Sequence, residues 1–172
     1  MEIRDARESD IAKITDIFNQ TIPVGNAEWT EELHTVEERI DWWHERTASG
    51  RPVLVAVDET RTEPVIGVAS YGDFRDSTCR AGFRKVVEHS VYLDENAMGL
   101  GAADALMDEL CQRARASSLR WMVATVDAAN ERSLAFHTRR GFFEVGRMPD
   151  IGFTFDTWRT LVLMQFDLDA PA

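Results

Sequence analysis

Five small or apolar residues, Gly99 to Ala103, stand where a strand passes into a helix and have the composition of a backbone anion site. They lie in the stretch EHSVYLDENAMGLGAADALMDEL, which runs from Glu88 to Leu110 and whose predicted strand ends at Leu93. Small residues let the backbone approach a ligand closely, and the first N–H groups of a helix have no partner within it. A loop of this kind can bind a pyrophosphate without Lys or Arg.

Taken alone, this loop does not identify its ligand. A Gly-Leu-Gly sequence at a helix start is commonly plain turn chemistry. The loop is not a P-loop, because no Gly-Lys-Ser/Thr follows. It matches a dinucleotide-binding loop poorly, because its strand is not the first of a βαβ unit with an acidic residue about 20 positions on. The assignment therefore depends on the rest of the chain.

The spacing of apolar residues predicts strands and helices along the whole chain. Ser9 and Thr35 are placed to cap the first two helices, the second with Glu38 in a capping box. In order, the predicted elements are a strand at 3–6, a helix from Ser9, a loop at 21–33 with one exposed aromatic residue (Trp29), a helix from Thr35 to near Gly50, strands at 52–57 and 65–71, an irregular segment at 73–83, a strand at 86–93, a helix at 102–117, a strand at 121–126, a helix at 130–140, and strands at 142–148 and 161–168. This order predicts an α/β or α+β fold. We expect a single domain over residues 1–172, with a mixed central sheet of about seven strands and helices on both faces.

Composition and charge argue against several classes of protein. The 172 residues are 44% hydrophobic and 28% charged, which is typical of a soluble globular domain. No apolar run of about 18 residues predicts a membrane span, and the charged N-terminus is unlike a secretory signal, so we expect a cytoplasmic protein without a membrane partner. The net charge of −11 argues against a nucleic-acid partner. Cys79 and Cys111 lack metal or redox spacing and are expected to be free thiols, and no metal is expected.

Several motifs together resemble one branch of the GNAT superfamily of N-acetyltransferases. The superfamily's acetyl-CoA loop, Arg/Gln-x-x-Gly-x-Gly/Ala, falls on residues 98–103, where Gly101 and Ala103 match and Met98 replaces the Arg or Gln. VVEHSVYL at 86–93 is similar to the branch of phosphinothricin and methionine sulfoximine/sulfone acetyltransferases. Further similarities are PVLVA at 52–56, Trp29, DAAN at 127–130, Ser133, His137, GF at 141–142, EVGRMP at 144–149, GF at 152–153 and Trp158. The resemblance covers nearly the whole chain and implies the GNAT fold, with acetyl-CoA as co-substrate.

The resemblance implies two catalytic residues, Glu88 and His137. Amide formation needs a deprotonated amine, a polarised thioester carbonyl and a proton for the leaving thiolate. Glu88 is similar to the branch's general base, and its alternative is a solvated carboxylate at the strand end. His137 is expected to donate a proton to the leaving sulfur or to relay the amine proton; its alternative is to fill the interface between helix and sheet. Alternation along the strand places His89 on the face opposite Glu88 and Ser90 on the same face.

The resemblance also implies which residues contact the co-substrate. They are the backbone of Val91, Tyr92 and Leu93, the loop residues Met98, Gly99, Leu100, Gly101, Ala102, Ala103 and Asp104, and the side chains of Asn130 and Ser133. Asp104 is unusual beside a phosphate, so it either faces away or lowers affinity. Asn130 can combine this role with capping a helix.

Recognition of the acceptor is expected to involve Trp29, Arg75, Arg84, Glu88, Ser90 and Asn130. A guanidinium fork suits a substrate carboxylate, and an aromatic face suits a sulfone or phosphinate. For Arg75 and Arg84 the alternative is an exposed solubilising charge. The segment from Arg75 to Phe83 is about three residues longer than is usual in the branch, at the place where the acceptor should be selected.

The leading functional hypothesis is transfer of acetyl from acetyl-CoA to the α-amino group of a small amino-acid analogue of the phosphinothricin, methionine sulfoximine or methionine sulfone type. One alternative keeps acetyl-CoA and changes the acceptor to a polyamine, an antibiotic or a protein N-terminus. Another is a CoA-binding regulatory module without turnover, supported by Met98 and Asp104. Because branch members are usually homodimers, a homodimer is expected.

Overall fold

Seven strands and four helices make up this computed structural model, which describes residues 1–170. The strands are β1 (Glu2–Asp5), β2 (Val53–Val57), β3 (Val65–Asp73), β4 (Val86–Leu93), β5 (Trp121–Asp127), β6 (Phe143–Thr154) and β7 (Thr157–Asp167). The helices are α1 (Ile11–Thr21), α2 (Val36–Ala48), α3 (Ala102–Ala116) and α4 (Glu131–Arg139). The strands form one sheet in the order β1-β2-β3-β4-β5-β7-β6. All neighbours are antiparallel except β4 and β5, so the predicted mixed sheet of seven strands is confirmed.

Two apolar cores cover the two faces of the sheet, as predicted. Ile11, Ile14 and Ile17 of α1 pack on one face with Val55 and Val68, and part of α2 joins them. The opposite face packs against α3, with Leu106, Met107 and Leu110 among its fully buried residues. The second core continues to Val126 and Val162, so α3 and the sheet share one apolar layer. The sheet is therefore a rigid platform between two helical layers.

The helix starts show one confirmed and one wrong prediction. Thr35 and Glu38 form the predicted capping box, with Oγ1 of Thr35 accepting from the Glu38 N–H at 3.2 Å and Oε2 of Glu38 accepting from the Thr35 N–H at 2.8 Å. Ser9, in contrast, does not cap α1. A 3₁₀ turn at Glu8–Asp10 precedes the helix, and Oδ2 of Asp10 accepts from the Arg7 N–H at 2.7 Å. Asp10 therefore occupies the N-cap position of α1, but its side chain bonds back to Arg7 and makes no cap hydrogen bond to the helix.

The C-terminal hairpin is longer than the sequence predicts. Strand β6 runs on to Thr154 and β7 begins at Thr157, so residues that we placed in a connection belong to strands. The register shifts between Met148 and Gly152, around Pro149, which explains why the pattern was missed. A proline is tolerated there because β6 is an edge strand. Along residues 1–170, no helix combines the length and apolar character needed to cross a membrane.

Candidate active site

A wedge opens between β4 and β5 at the centre of the sheet. The two parallel strands pair only at Val86–Glu88 with Trp121–Val123, although β4 continues to Leu93 and β5 to Asp127. Beyond Glu88 the edge of β4 that faces β5 therefore has no strand partner in the described chain. Unpaired backbone groups at a strand edge can bind an extended ligand as an added strand.

Glu88 lies at the vertex of this wedge. It is the last β4 residue in the pairing with β5, and its Oε1 accepts a hydrogen bond from Oγ1 of Thr125 at 2.6 Å. Thr125 belongs to β5, so the bond crosses the opening and holds the carboxylate there. Glu88 is half-buried, which leaves it open to a substrate amine. This geometry is suited to a general base.

His89 and Ser90 follow the predicted alternation. His89 is buried on the α4 side, in contact with the rings of His137 and Phe142. Ser90 pairs with Ser70 and shares the Glu88 face of the strand. No bulge interrupts β4 between them, because its pairing with β3 is continuous.

His137 lies on the opposite side of the sheet from the Glu88 carboxylate. It is 6% exposed, and its Nδ1 lies 2.7 Å from the Ser133 carbonyl oxygen, to which the Nδ1–H donates. The Nε2 then carries a lone pair, so it accepts from Nε2 of His89 at 3.2 Å. Burial lowers the pKa of His137, and burial together with His137 lowers the pKa of His89 to about 3. This environment agrees with the alternative that His137 fills the interface between helix and sheet, because both of its ring nitrogens already have partners.

The glycine loop has the backbone shape that a ligand-binding turn requires. Gly99 and Gly101 have φ angles of +82° and +78°, which side-chain-bearing residues rarely adopt. A Cβ at either position would enter open space. Gly101 is also the N-cap of α3, so the first N–H groups of a 15-residue helix point out of the loop. The loop can therefore approach a phosphate closely, as the sequence predicts.

Asp94 anchors the start of this loop. Burial opposes ionisation, but hydrogen bonds from Lys13 Nζ at 2.7 Å and from the Asn96 N–H at 2.9 Å lower the pKa of Asp94 to about 2. Because Lys13 belongs to α1, the ion pair ties the loop to the opposite helical layer. The loop is held in place before any ligand binds.

Helix α4 supplies arginines that the sequence analysis did not consider. Arg132, in its first turn, contacts the sulfur of Met98, so a guanidinium lies beside the loop although position 98 has none. Asp104 pairs with Arg139 at 3.7 Å and Arg140 at 3.5 Å. Its carboxylate is thus directed at the C-terminal end of α4, where Arg139 and Arg140 partly offset its charge; Arg140 also pairs with Asp108.

The segment between α1 and α2 crosses the open end of the wedge between β4 and β5, and residues 26–29 make the contacts there. Trp29 is half-buried, not exposed as predicted, because its Nε1 donates to Oδ2 of Asp127 at 2.9 Å and its ring covers Gly152. Oδ1 of Asn130 accepts from the Ser133 N–H at 3.1 Å, which confirms its capping role, and its Nδ2 donates to the Asn26 carbonyl. The Tyr92 hydroxyl donates to Glu28 at 2.7 Å.

Arg75 and Arg84 are both exposed, which agrees with the alternative that each is a solubilising surface charge. The Arg75 guanidinium lies 5.5 Å from the centre of the Phe74 ring, and NH1 of Arg84 donates to the Ala81 carbonyl at 2.8 Å. Neither forms an ion pair with Glu88, whose partner is Thr125. The structure does not bring these arginines to the base.

An apolar groove lies on the Glu88 face of the sheet. Its volume is about 230 Å³, and its lining includes Phe74, Phe83, Val86, Trp121, Val123 and Leu163. Val86 is two residues before Glu88, and Val123 is the β5 partner of Glu88. Alternation therefore places the groove next to the carboxylate.

Comparison with known proteins agrees with this geometry. Residues 11–142 match the family described as Acetyltransferase (GNAT) family. The chain is 40% identical over 97% of its length to an L-methionine sulfoximine/L-methionine sulfone acetyltransferase of Pseudomonas aeruginosa, covering 94% of that protein. It is 31% identical to a phosphinothricin N-acetyltransferase of Alcaligenes faecalis, over 98% of this chain and 83% of the relative.

A solved structure shows the same fold with a ligand. The GNAT superfamily phosphinothricin acetyltransferase of Sinorhizobium meliloti, in complex with AcCoA, superimposes with a TM-score of 0.89 and 34% identity, over 96% of this chain and 87% of that one. Sequence, fold and wedge geometry thus agree, and the protein belongs to the GNAT family of acetyltransferases.

Proposed function

We propose that the protein transfers the acetyl group of acetyl-CoA to the α-amino group of a small amino-acid analogue, of the methionine sulfone, methionine sulfoximine or phosphinothricin type. The observation that carries the proposal is Glu88 at the vertex of the β4–β5 wedge, with an apolar groove beside it on the same face. Relatives along the full chain act on such acceptors.

Acetyl-CoA fits the wedge and the glycine loop. Its pantetheine arm would pair with the free backbone edge of Val91, Tyr92 and Leu93, which β5 leaves unpaired. Its pyrophosphate would lie on residues 98–103, where the N–H groups of α3 converge and Arg132 adds a positive charge. The bound molecule supplies an activated thioester whose acetyl group would lie near Glu88.

Glu88 then acts as the general base. The α-amine of a free amino acid is mostly protonated near neutral pH and must lose a proton before it can attack. The Glu88 carboxylate takes that proton, directly or through a water, while Thr125 holds its other side. The freed amine forms the new bond to the acetyl carbonyl carbon as the bond to sulfur breaks. The nitrogen then loses its extra proton, and this proton is transferred to the leaving thiolate, directly or through water.

In this scheme His137 positions other residues and does not transfer a proton. Its Nδ1–H and Nε2 are engaged by Ser133 and His89, so it would have to leave the interface before it could donate a proton. The bonded pair fixes α4 against β4 and thereby orients Asn130 and Ser133 at the cofactor end of the wedge.

Acetylation of a panel of amines tests the function directly. We expect CoA release with methionine sulfone, methionine sulfoximine or phosphinothricin to exceed that with free polyamines, because an apolar groove offers a polyamine no counter-charge. Glu88→Gln should lower kcat about 100-fold or more at pH 7, within the range for loss of a general base. Faster acetylation of polyamines would contradict the acceptor class, and a fully active E88Q enzyme would contradict the base.

A homodimer is the second part of the proposal. The β6–β7 hairpin exposes large apolar side chains, namely Phe143 (50%), Ile151 (52%), Phe153 (56%), Phe155 (41%) and Trp158 (62%). Several large apolar side chains exposed on one hairpin indicate an interaction site. The hairpin also contains β6, one of the two edge strands of the sheet. A second copy of the chain is the partner that would cover it.

A further inference from the structure

The inner side of α2 carries three buried hydrogen-bond donors without acceptors. Arg39 Nε, Trp43 Nε1 and Arg46 Nε have no hydrogen-bond partner within residues 1–170. Spacings of four and three residues place them on one side of the helix. A buried donor without a partner is costly, so most buried donors in folded proteins are paired. The row is therefore a place where the acceptor oxygens of a ligand would be favoured.

Arg46 is the member of this row that reaches the active site. Gly72 of β3 stands directly opposite Glu88 of β4. A Cβ on Gly72 would overlap the Arg46 guanidinium, so this group lies on the bare backbone of Gly72, on the sheet face that carries Glu88. Residues directly opposite each other in an antiparallel pair have Cβ atoms about 4.5–5.5 Å apart. The guanidinium thus stands about one residue's width from Glu88.

The charges of Arg46 and Glu88 lie on opposite flanks of β4 and do not form an ion pair with each other. The Glu88 carboxylate turns towards Thr125 on β5, whereas Arg46 lies over β3, on the other flank of β4. An α-amino acid carries its amine and its carboxylate on one carbon atom. A single acceptor can therefore present the amine to Glu88 and the carboxylate to Arg46 at the same time.

We propose that Arg46, lying on Gly72, binds the α-carboxylate of the acceptor. The inference rests on the proposed function and names the specificity residue of the same site. A guanidinium offers a carboxylate a planar fork of two N–H donors, which an ammonium cannot reproduce. Arg75 and Arg84 are less suited to this role, because both are exposed to water, where an ion pair contributes little.

Steady-state kinetics with a matched pair of acceptors tests this role. The pair is methionine sulfone and its decarboxylated amine, which lacks only the carboxylate. Arg46→Met should raise KM for the acid about 10- to 100-fold, the range for loss of a charge-assisted hydrogen bond, and leave kcat/KM for the amine unchanged. Arg46→Lys should recover only part of the loss. Gly72→Ala should reproduce the effect, because its Cβ displaces the guanidinium.

Arg75→Met is the matched control and should leave the preference for the acid intact. Thermal unfolding of the unliganded variants provides a second measurement. Arg46→Met should match or exceed the wild type in Tm, because it removes an unpaired buried donor and keeps the apolar stem.

Four outcomes would overturn the inference. In one, Arg46→Met raises KM equally for acid and amine; in another, Arg75→Met produces the selective loss. In the third, wild-type enzyme acetylates neither acceptor, which overturns the proposed function as well. Normal wild-type activity with an unaffected R46M enzyme overturns the role of Arg46 alone.

Discussion

Replacing His89 by Gln should make the protein less sensitive to mild acid. Burial and the neighbouring His137 lower the pKa of His89 from 6.5 to about 3. The unfolded chain binds a proton at this position below about pH 6.5, and the folded chain does so only near pH 3. The contribution of the neutral His89 ring to the unfolding free energy is therefore fully present above pH 6.5 and is lost as the pH falls towards 3.

The size of the effect follows from the two pKa values. Between pH 7 and pH 5, proton binding by the unfolded chain alone costs the wild type about 2 kcal/mol of unfolding free energy. For a domain of this length that corresponds to a decrease in Tm of about 4–8 °C. Gln does not titrate, and its amide N–H can still donate to Nε2 of His137. Between pH 7 and pH 5, we therefore expect the unfolding free energy of H89Q to fall by about 2 kcal/mol less than that of the wild type.

Urea unfolding at pH 7, 6 and 5 measures the difference, since carboxylates with lowered pKa values, such as Asp94, lose charge only in stronger acid. The variant His44→Gln is the control, because His44 is exposed on α2 and loses little solvation on folding. A variant H89Q that retains the full wild-type decrease between pH 7 and pH 5 would refute the argument. So would a His44→Gln variant that removes the decrease.

Three further predictions concern the cofactor loop and the hairpin. Acetyl-CoA at millimolar concentration should raise the Tm of the wild type through mass action, and an unchanged wild-type Tm would contradict the cofactor assignment. Gly101→Glu should abolish the shift, because Gly101 has a φ of +78° and its Cβ would enter the open space where the pyrophosphate is expected to lie. Arg132→Gln should weaken acetyl-CoA binding about two- to fivefold in calorimetry without a change in unliganded Tm, because an exposed charge pair contributes up to about 1 kcal/mol. Equal affinity would show that Arg132 does not contact the co-substrate. Phe153→Asp combined with Trp158→Glu should convert a dimer into a monomer in light scattering, and a wild type that is already monomeric would refute the dimer.

The elements around the site were predictable because local patterns determine them. The limits of β4 follow from a run of strand-forming residues between polar turns, and the start of α3 follows from Gly101 and the small residues after it. Alternation along β4 also gave the opposite orientations of Glu88 and His89. These features depend on neighbours in the chain, so one sequence is enough to find them.

Other features depend on partners far away in the sequence. Trp29 was interpreted as exposed because its own segment is polar, but its acceptor, Asp127, is 98 residues away. Arg46 is one of several charged residues in its helix and has no distinguishing local pattern, because its position depends on Gly72, which lacks the Cβ that would exclude the guanidinium. The direction of His137 likewise depends on how α4 packs on the sheet.

The separation of β4 and β5 has a mechanical consequence. Within residues 1–170, the pairing of three residues of β4 with three residues of β5 joins β1–β4 to β5–β7, so the sheet has a seam at its centre. A ligand that hydrogen-bonds along β4 and lies against β5 would connect the two halves of the sheet across that seam. Amide hydrogens on both sides should then become slower to exchange together when acetyl-CoA binds, and the two halves should unfold as one unit. The shortest strand pairing in the sheet is thus placed where the co-substrate itself can complete it.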